Sequence, residues 1–137
     1  MIHSDLNKKC AEILSSHLGE SLEAVYIFGS QASGNATEES DLDLAVLCNR
    51  PVTAEIFFAA KTELSYQFKC DVDLIDLRQA DTVTRALIVS TGELILAPHP
   101  SKIAHFETVC LSAYALLNEE RAEILRDISS KGTIYDR

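Results

Sequence analysis

The chain has 137 residues, 47% hydrophobic and 24% charged, which predicts one domain (1–137) with a buried core. Its 12 basic and 21 acidic residues give a net charge of −9, which argues against nucleic acid as a direct partner because phosphate contacts need clustered Lys and Arg. No apolar stretch approaches the roughly 20 residues that cross a bilayer, and no secretion signal is visible, so we expect a cytoplasmic protein without a membrane partner.

The first half of the chain predicts a helix followed by two strands. Residues 4–18 carry apolar side chains at helical spacing and are followed by Gly19. Residues 22–28 form a β-branched and aromatic run that ends at Gly29. After a polar stretch, residues 41–48 alternate, so Leu42, Leu44 and Val46 share one face of a second strand.

The second half alternates helices with short strands. Helical spacing returns after Pro51, and an apolar run with three acids follows it. A short helix, the apolar run "ELILA" and a long amphipathic helix complete the chain. The predicted elements are a helix over 53–69, a strand over 70–77, a helix over 80–87, a strand over 93–97, a helix over 101–127 and a loose tail over 129–137.

This order of elements predicts an α/β fold, a small mixed β-sheet flanked by helices. The core of the domain is expected at residues 5–97. The apolar stripe of the last helix favours packing on that core, with docking of a partner as the alternative. The four cysteines lie far apart without a CxxC pattern, and each lies in an apolar run, so we expect them to be buried as free thiols: Cys10, Cys48, Cys70 and Cys110.

The predicted topology brings polar residues to one edge of the sheet. If the first two strands are antiparallel, Gly29 and Ser30 lie at the same edge as Asp41 and Asp43. If the helix over 53–69 is a right-handed crossover, the third strand runs parallel to the second, and its early acids join that edge.

The third strand offers three acids for this cluster. Asp71 and Asp73 share one face, whereas Asp76 shares the other face with Val72 and Leu74, which belongs to the core. Asp73 stands two residues into its strand, as Asp43 does in its own. Alternation and register therefore predict Asp73 as the third acid of the site.

Three carboxylates on adjacent strands imply a cation. Two like charges about 5 Å apart repel by roughly 3 kcal/mol at an effective dielectric near 20. Mg²⁺ offsets such repulsion and prefers oxygen ligands, and two ions can stabilise the attacking and leaving oxygens of a phosphoryl displacement. The Gly29–Ser30 turn offers close backbone approach, N–H groups and a hydroxyl to phosphate oxygens.

The spacing of these residues resembles a known signature. Gly29–Ser30, ten intervening residues and then Asp41–Leu42–Asp43 resemble the GSx10DxD motif of the DNA polymerase β-like nucleotidyltransferase superfamily. With the following "VDLIDL", the short chain is similar to the minimal nucleotidyltransferase (MNT) antitoxins, MntA-like, that are encoded beside HEPN-domain toxins. The resemblance covers about residues 5–97.

The resemblance implies a type VII-like antitoxin that transfers AMP from ATP to a tyrosine of the cognate HEPN ribonuclease, silencing it and releasing pyrophosphate. By this analogy Asp41 and Asp43 hold two Mg²⁺ ions, while Ser30 and the backbone after Gly29 hold the β and γ phosphates. Asp73 ligates one metal ion and accepts the proton of the acceptor hydroxyl. A hetero-oligomer with the toxin is also implied.

Two other functions remain open from the sequence. Many relatives carry arginines just after the Gly-Ser pair, whereas residues 31–34 here read QASG. This departure favours a non-catalytic antitoxin or recruiting subunit that inhibits its partner by binding alone. A nucleotidyltransferase acting on a small-molecule hydroxyl is the third reading, although 137 residues leave little room for an additional substrate domain.

Overall fold

The computed structural model describes residues 2–29 and 41–131. Within these ranges the chain forms four α-helices and four strands, and a short 3-10 helix joins the first helix to the first strand. The elements are α1 (Ile2–Leu18), β1 (Leu22–Phe28), β2 (Leu42–Cys48), α2 (Ala54–Phe68), β3 (Val72–Asp76), α3 (Thr82–Thr91), β4 (Glu93–Leu96) and α4 (Pro100–Lys131).

The last two helices extend further than the sequence predicted. α3 begins after Asp81, whose side chain accepts a hydrogen bond from the Thr84 N–H (2.7 Å). It continues through the buried Ile88 to Thr91, just before Gly92. α4 continues past the predicted end at residue 127, because no Gly or Pro interrupts it before Lys131. Part of the predicted tail is therefore helical.

The sheet has the strand order β3-β2-β1-β4. β1 is antiparallel to both β2 and β4, whereas β3 is parallel to β2. The predicted α/β fold with a small mixed sheet is thus confirmed. α2 connects the two parallel strands, and the residue before it, Thr53, caps its start: the Thr53 hydroxyl accepts a hydrogen bond from the Ile56 N–H (3.3 Å). It ends at Phe68 and is followed by Lys69, which has a left-handed φ of 54°.

The core forms two layers, one on each face of the sheet. Alternate residues of each strand point to opposite faces, so β1 and β2 contribute to both layers. The first layer joins the sheet to α1 and α2 through Leu14, Ile27, Leu44 and Leu64, among others. The second layer joins it to α3 and α4 through Tyr26, Ala45, Ile88 and Ile103, among others. Helices therefore cover both faces.

The cysteines are free thiols, as predicted, and three of the four are buried as predicted. Cys10, Cys48 and Cys110 are buried, Cys70 is half-buried, and all four are free thiols. Across residues 2–29 and 41–131, no helix combines the length and apolar character needed to span a membrane.

Candidate active site

The candidate site lies at the edge of the sheet where β1 ends and β2 begins. Phe28 lies opposite Asp43 in the antiparallel pair, and Gly29 follows directly after β1. The Gly29 turn therefore meets Asp43 of β2, and Asp41 just before that strand, at one edge, as the sequence predicted. Ser30, the predicted phosphate-binding hydroxyl, lies outside the described residues, as do residues 31–40.

Asp43 and Asp73 are direct neighbours in the sheet. β2 and β3 pair in parallel with Asp43 beside Asp73, and each aspartate is the second residue of its strand. Paired positions of adjacent strands lie about 4.8 Å apart and point to the same face. That face belongs to the α3 and α4 layer, because Ala45, two residues after Asp43, is buried there. The register of β2 against β3 is therefore the one that the sequence predicted.

Electrostatic coupling joins the three predicted acids. Asp43 is half-buried, whereas Asp41 and Asp73 are exposed. Burial raises the pKa of the Asp43 carboxyl, and the negative charges of Asp73 and then Asp41 raise it further. Both effects disfavour the ionised form. A cation bound nearby would therefore stabilise the ionised form of Asp43.

Gly29 makes room for the carboxylate of Asp43. Its φ of +72° is a left-handed conformation that side chains rarely adopt. A Cβ atom built on Gly29 would overlap Oδ2 of Asp43 and lie 3.2 Å from the carboxyl carbon. The carboxylate therefore lies directly against the backbone of the turn. This close approach explains why the turn at the start of the Gly-Ser pair requires glycine.

The other two acids of the third strand are placed differently from Asp73. Asp71 precedes β3, and its backbone carbonyl accepts a hydrogen bond from the Leu42 N–H (2.9 Å). Asp76 ends β3, and its Oδ1 accepts a hydrogen bond from the Arg78 N–H (3.0 Å), so it caps the following turn. Only Asp73 is paired with Asp43, and its catalytic role stays a prediction.

The donor set of the edge suits Mg²⁺. In the described part of the chain, no group of three or more His, Cys, Asp or Glu side chains is arranged to hold a metal ion. Mg²⁺ does not need such a group, because it is commonly bound by one or two carboxylates together with substrate phosphates and water. The side chains of Asp41, Asp43 and Asp73 offer only oxygen ligands and excess negative charge. They therefore fit Mg²⁺ rather than a softer metal.

Two features of this face were missed from the sequence. The half-buried ring of Phe28 stands across from Asp43 and packs against the α3 and α4 layer. The buried Tyr26 donates a hydrogen bond from its hydroxyl to Oε2 of Glu107 on α4 (2.6 Å). Burial, followed by the acceptor Glu107, raises the pKa of Tyr26 far above its ordinary value. The antiparallel register could have indicated Phe28, whereas nothing in the sequence indicates the distant Tyr26–Glu107 pair.

A family model and a curated protein match the chain over most of its length. The model of the family described as "Polymerase beta, Nucleotidyltransferase" matches residues 8–100. Protein adenylyltransferase MntA of Shewanella oneidensis is 31% identical over 107 residues, which are 78% of this chain and 76% of that protein.

Solved structures of toxin–antitoxin complexes are similar as well. A chain in the crystal structure of a toxin–antitoxin with AMP-PNP superposes with a TM-score of 0.77 at 28% identity, over 90% of this chain and 98% of that chain. A second structure contains the tri-AMPylated Shewanella oneidensis HEPN toxin in complex with an MNT antitoxin. There the TM-score is 0.75 at 26% identity, over 93% of this chain and 98% of the matched chain.

Proposed function

Because this chain belongs to the polymerase β nucleotidyltransferase family, we propose that it is a protein adenylyltransferase that acts as an antitoxin. It transfers AMP from ATP to a tyrosine hydroxyl of a HEPN ribonuclease toxin and thereby neutralises the toxin. The similarity to MntA and to complexes that contain AMP-PNP or an AMPylated HEPN toxin supports the donor, the acceptor and a hetero-oligomer with the toxin.

The observation that carries this proposal is the placement of Asp43. Its carboxylate lies against the backbone of Gly29 and beside Asp73 in the parallel strand pair. A phosphate chain that enters at the glycine turn would therefore meet the carboxylates directly. This juxtaposition is what nucleotidyl transfer needs, because the reaction depends on positioning and charge stabilisation around the phosphates.

In the proposed reaction, the tyrosine oxygen attacks the α-phosphorus of ATP and forms a phosphodiester bond. The bond from the α-phosphorus to the oxygen that bridges to the β-phosphorus breaks, and pyrophosphate leaves. Asp41, Asp43 and Asp73 would hold two Mg²⁺ ions, which supply charge neutralisation at the phosphates when bound. Asp73 accepts the tyrosine proton and passes it to water. Ser30 and the backbone N–H groups after Gly29 bind the β and γ phosphates.

Intact-mass spectrometry of the HEPN toxin tests this function. We expect incubation with this protein, ATP and Mg²⁺ to add one or more AMP masses to the toxin, and we expect no addition with Asp43→Asn or with EDTA. Residues 31–34 contain no arginine, unlike those of many relatives. An antitoxin that inhibits the toxin by binding alone, without transfer, is therefore the second candidate function. Inhibition of the toxin without any change of mass would contradict transfer and support that candidate.

A further inference from the structure

An apolar stripe runs along the whole of α4, but only its first half is covered. Ile103 and Cys110 are buried, and Phe106 packs against the core. In the second half, Ile124 is 59% exposed and Leu125 is 65% exposed. An amphipathic stripe of this kind normally faces a packing partner. The described residues provide that partner only for the first half of the helix.

The exposed side chains belong to the same face as the packed ones. Ile124 follows Phe106 by 18 residues, and Leu125 follows Glu107 by the same interval. At 3.6 residues per turn this interval is five complete turns, so these pairs point in the same direction. Arg121 lies within the stripe, and arginine is among the residues enriched at protein interfaces. The face that contacts the sheet at Phe106 therefore continues along the helix, and Ile124 and Leu125 on it are exposed.

α4 runs toward the edge of the sheet that carries the candidate site. Lys102, near the start of α4, forms an ion pair with Glu23 on β1 (3.2 Å), and Glu107 accepts the hydrogen bond of Tyr26 (2.6 Å). The contacts thus advance along β1 as α4 proceeds, and β1 leads to Gly29. The helix and the strand point to the same edge.

The second half of α4 projects beyond that edge. From Tyr26 to Gly29 the strand advances about 10 Å, which α4 covers in about seven residues, from Glu107 to Tyr114. Residues 115–131 of α4, which we call the α4 arm, continue for roughly 26 Å beyond this point. Burial agrees with this estimate, because no α4 residue after Cys110 is buried among the described side chains. A molecule bound to the stripe of the α4 arm would lie beside Asp43 and Asp73.

The negative charge of this protein distinguishes between the possible binding partners of the α4 arm. A second copy of this chain would bring together two proteins of net charge −9 at an edge that already carries Asp41, Asp43 and Asp73. A basic protein surface complements this field instead. The proposed acceptor has that character, since a ribonuclease must attract the phosphates of RNA with positive side chains.

We propose that the apolar stripe of the α4 arm docks the protein acceptor and holds it over the catalytic edge. The occupant is a protein with an apolar groove rimmed by basic side chains, which receives Ile124 and Leu125. The identity of this protein as the HEPN toxin rests on the proposed function. The assignment of the surface rests on the exposed stripe and on the direction of α4.

Two leucines of α4 provide a matched pair of variants. Leu125 lies on the stripe, and Leu116, which is 56% exposed, precedes it by nine residues. Nine residues are two and a half turns, so the two side chains point in opposite directions. Leu125→Asp and Leu116→Asp therefore add the same charge to the same helix on opposite faces. Leu125→Ala removes the apolar contact without adding charge and retains a strong helix former.

Calorimetric titration of each variant with the HEPN toxin measures docking. We expect Leu125→Asp to weaken binding by about tenfold or more, Leu125→Ala to weaken it less, and Leu116→Asp to stay within about twofold of the unchanged protein. The increase in melting temperature with ATP and Mg²⁺ confirms in each variant that the domain is folded and the nucleotide site intact.

The possible outcomes separate docking from catalysis. Tight binding by Leu125→Asp, or equal losses for both aspartate variants, would overturn the proposal. A dimer of this chain that Leu125→Asp converts to a monomer, with toxin binding unchanged, would assign the stripe to a second copy and overturn it as well. If the toxin binds through Leu125 but gains no AMP, the docking surface stands and the proposed transfer reaction fails.

Discussion

Replacing Asp43 by Asn should stabilise the metal-free protein, because Asp43 is crowded by like charges. The carboxylate is half-buried, and its raised pKa arises from burial and from the charges of Asp73 and Asp41. Asparagine has nearly the same shape and no charge. The variant therefore removes the repulsion and leaves the space against Gly29 filled.

The magnitude follows from the strand pairing. Two charges about 5 Å apart repel by roughly 3 kcal/mol at an effective dielectric of 20 and by about 0.8 kcal/mol at the dielectric of water. Because Asp73 is exposed and Asp43 is half-buried, we expect a gain of about 1–2 kcal/mol in the free energy of unfolding. For a domain of this size the gain corresponds to an increase of roughly 3–8 °C in melting temperature.

The gain in the free energy of unfolding should decrease as pH falls. The folded state disfavours ionised Asp43, so the cost is fully present above the raised pKa in the folded state. As pH falls through the raised pKa and then below about 3.9, the ordinary pKa of an aspartate, Asp43 becomes protonated in both states and the cost disappears. We therefore expect the stabilisation at pH 7.5 to shrink progressively toward pH 4.5.

Thermal unfolding in EDTA, followed by circular dichroism between pH 4.5 and 7.5, measures this effect. Glu12→Gln is the control, since Glu12 is an exposed acid of α1 and the variant makes the same change in net charge. A melting temperature of Asp43→Asn below that of the unchanged protein at pH 7.5 would refute the electrostatic reasoning. An equal gain for Glu12→Gln would attribute the effect to net charge alone.

Three further experiments test the candidate site. Gly29→Ala should reduce AMP transfer at least tenfold, because the added Cβ displaces the Asp43 carboxylate, and unchanged transfer would contradict that contact. Asp73→Asn should reduce transfer by about two orders of magnitude in a mass-spectrometric rate assay while Asp71→Asn stays nearly active, and the reverse order would show that the wrong acid was chosen. ATP with Mg²⁺ should raise the melting temperature more than ATP with EDTA, since the acidic edge repels the bare triphosphate, and equal increases would argue against metal-assisted binding.

The sequence predicted the sheet and the pairing of its acids because both depend on local patterns. Alternation in β2 and β3 identified the core face, and the crossover through α2 made the two strands parallel, which brought Asp43 beside Asp73. The role of Ser30 stays a prediction, since it lies outside the described residues.

Long-range packing could not be predicted in the same way. The pairing of β4 with β1 and the hydrogen bond between Tyr26 and Glu107 join positions that are far apart in the chain. The sequence likewise did not predict that the second half of α4 extends beyond the sheet. Helical periodicity shows which face of a helix is apolar, but it carries no information about where the sheet beneath that face ends.

The acids of β3 also bear on aggregation. In the strand order β3-β2-β1-β4, β3 lies at an edge of the described sheet, and an edge strand can pair with a strand of another chain. Two of the five residues of β3 are acids, Asp73 and Asp76, and a third, Asp71, precedes it. Two copies brought together through this edge would place these charges near one another, which opposes fibre-like growth. Variants that neutralise Asp73 therefore remove a safeguard against self-association as well as a carboxylate of the candidate site, and their solubility should be checked before their activity is interpreted.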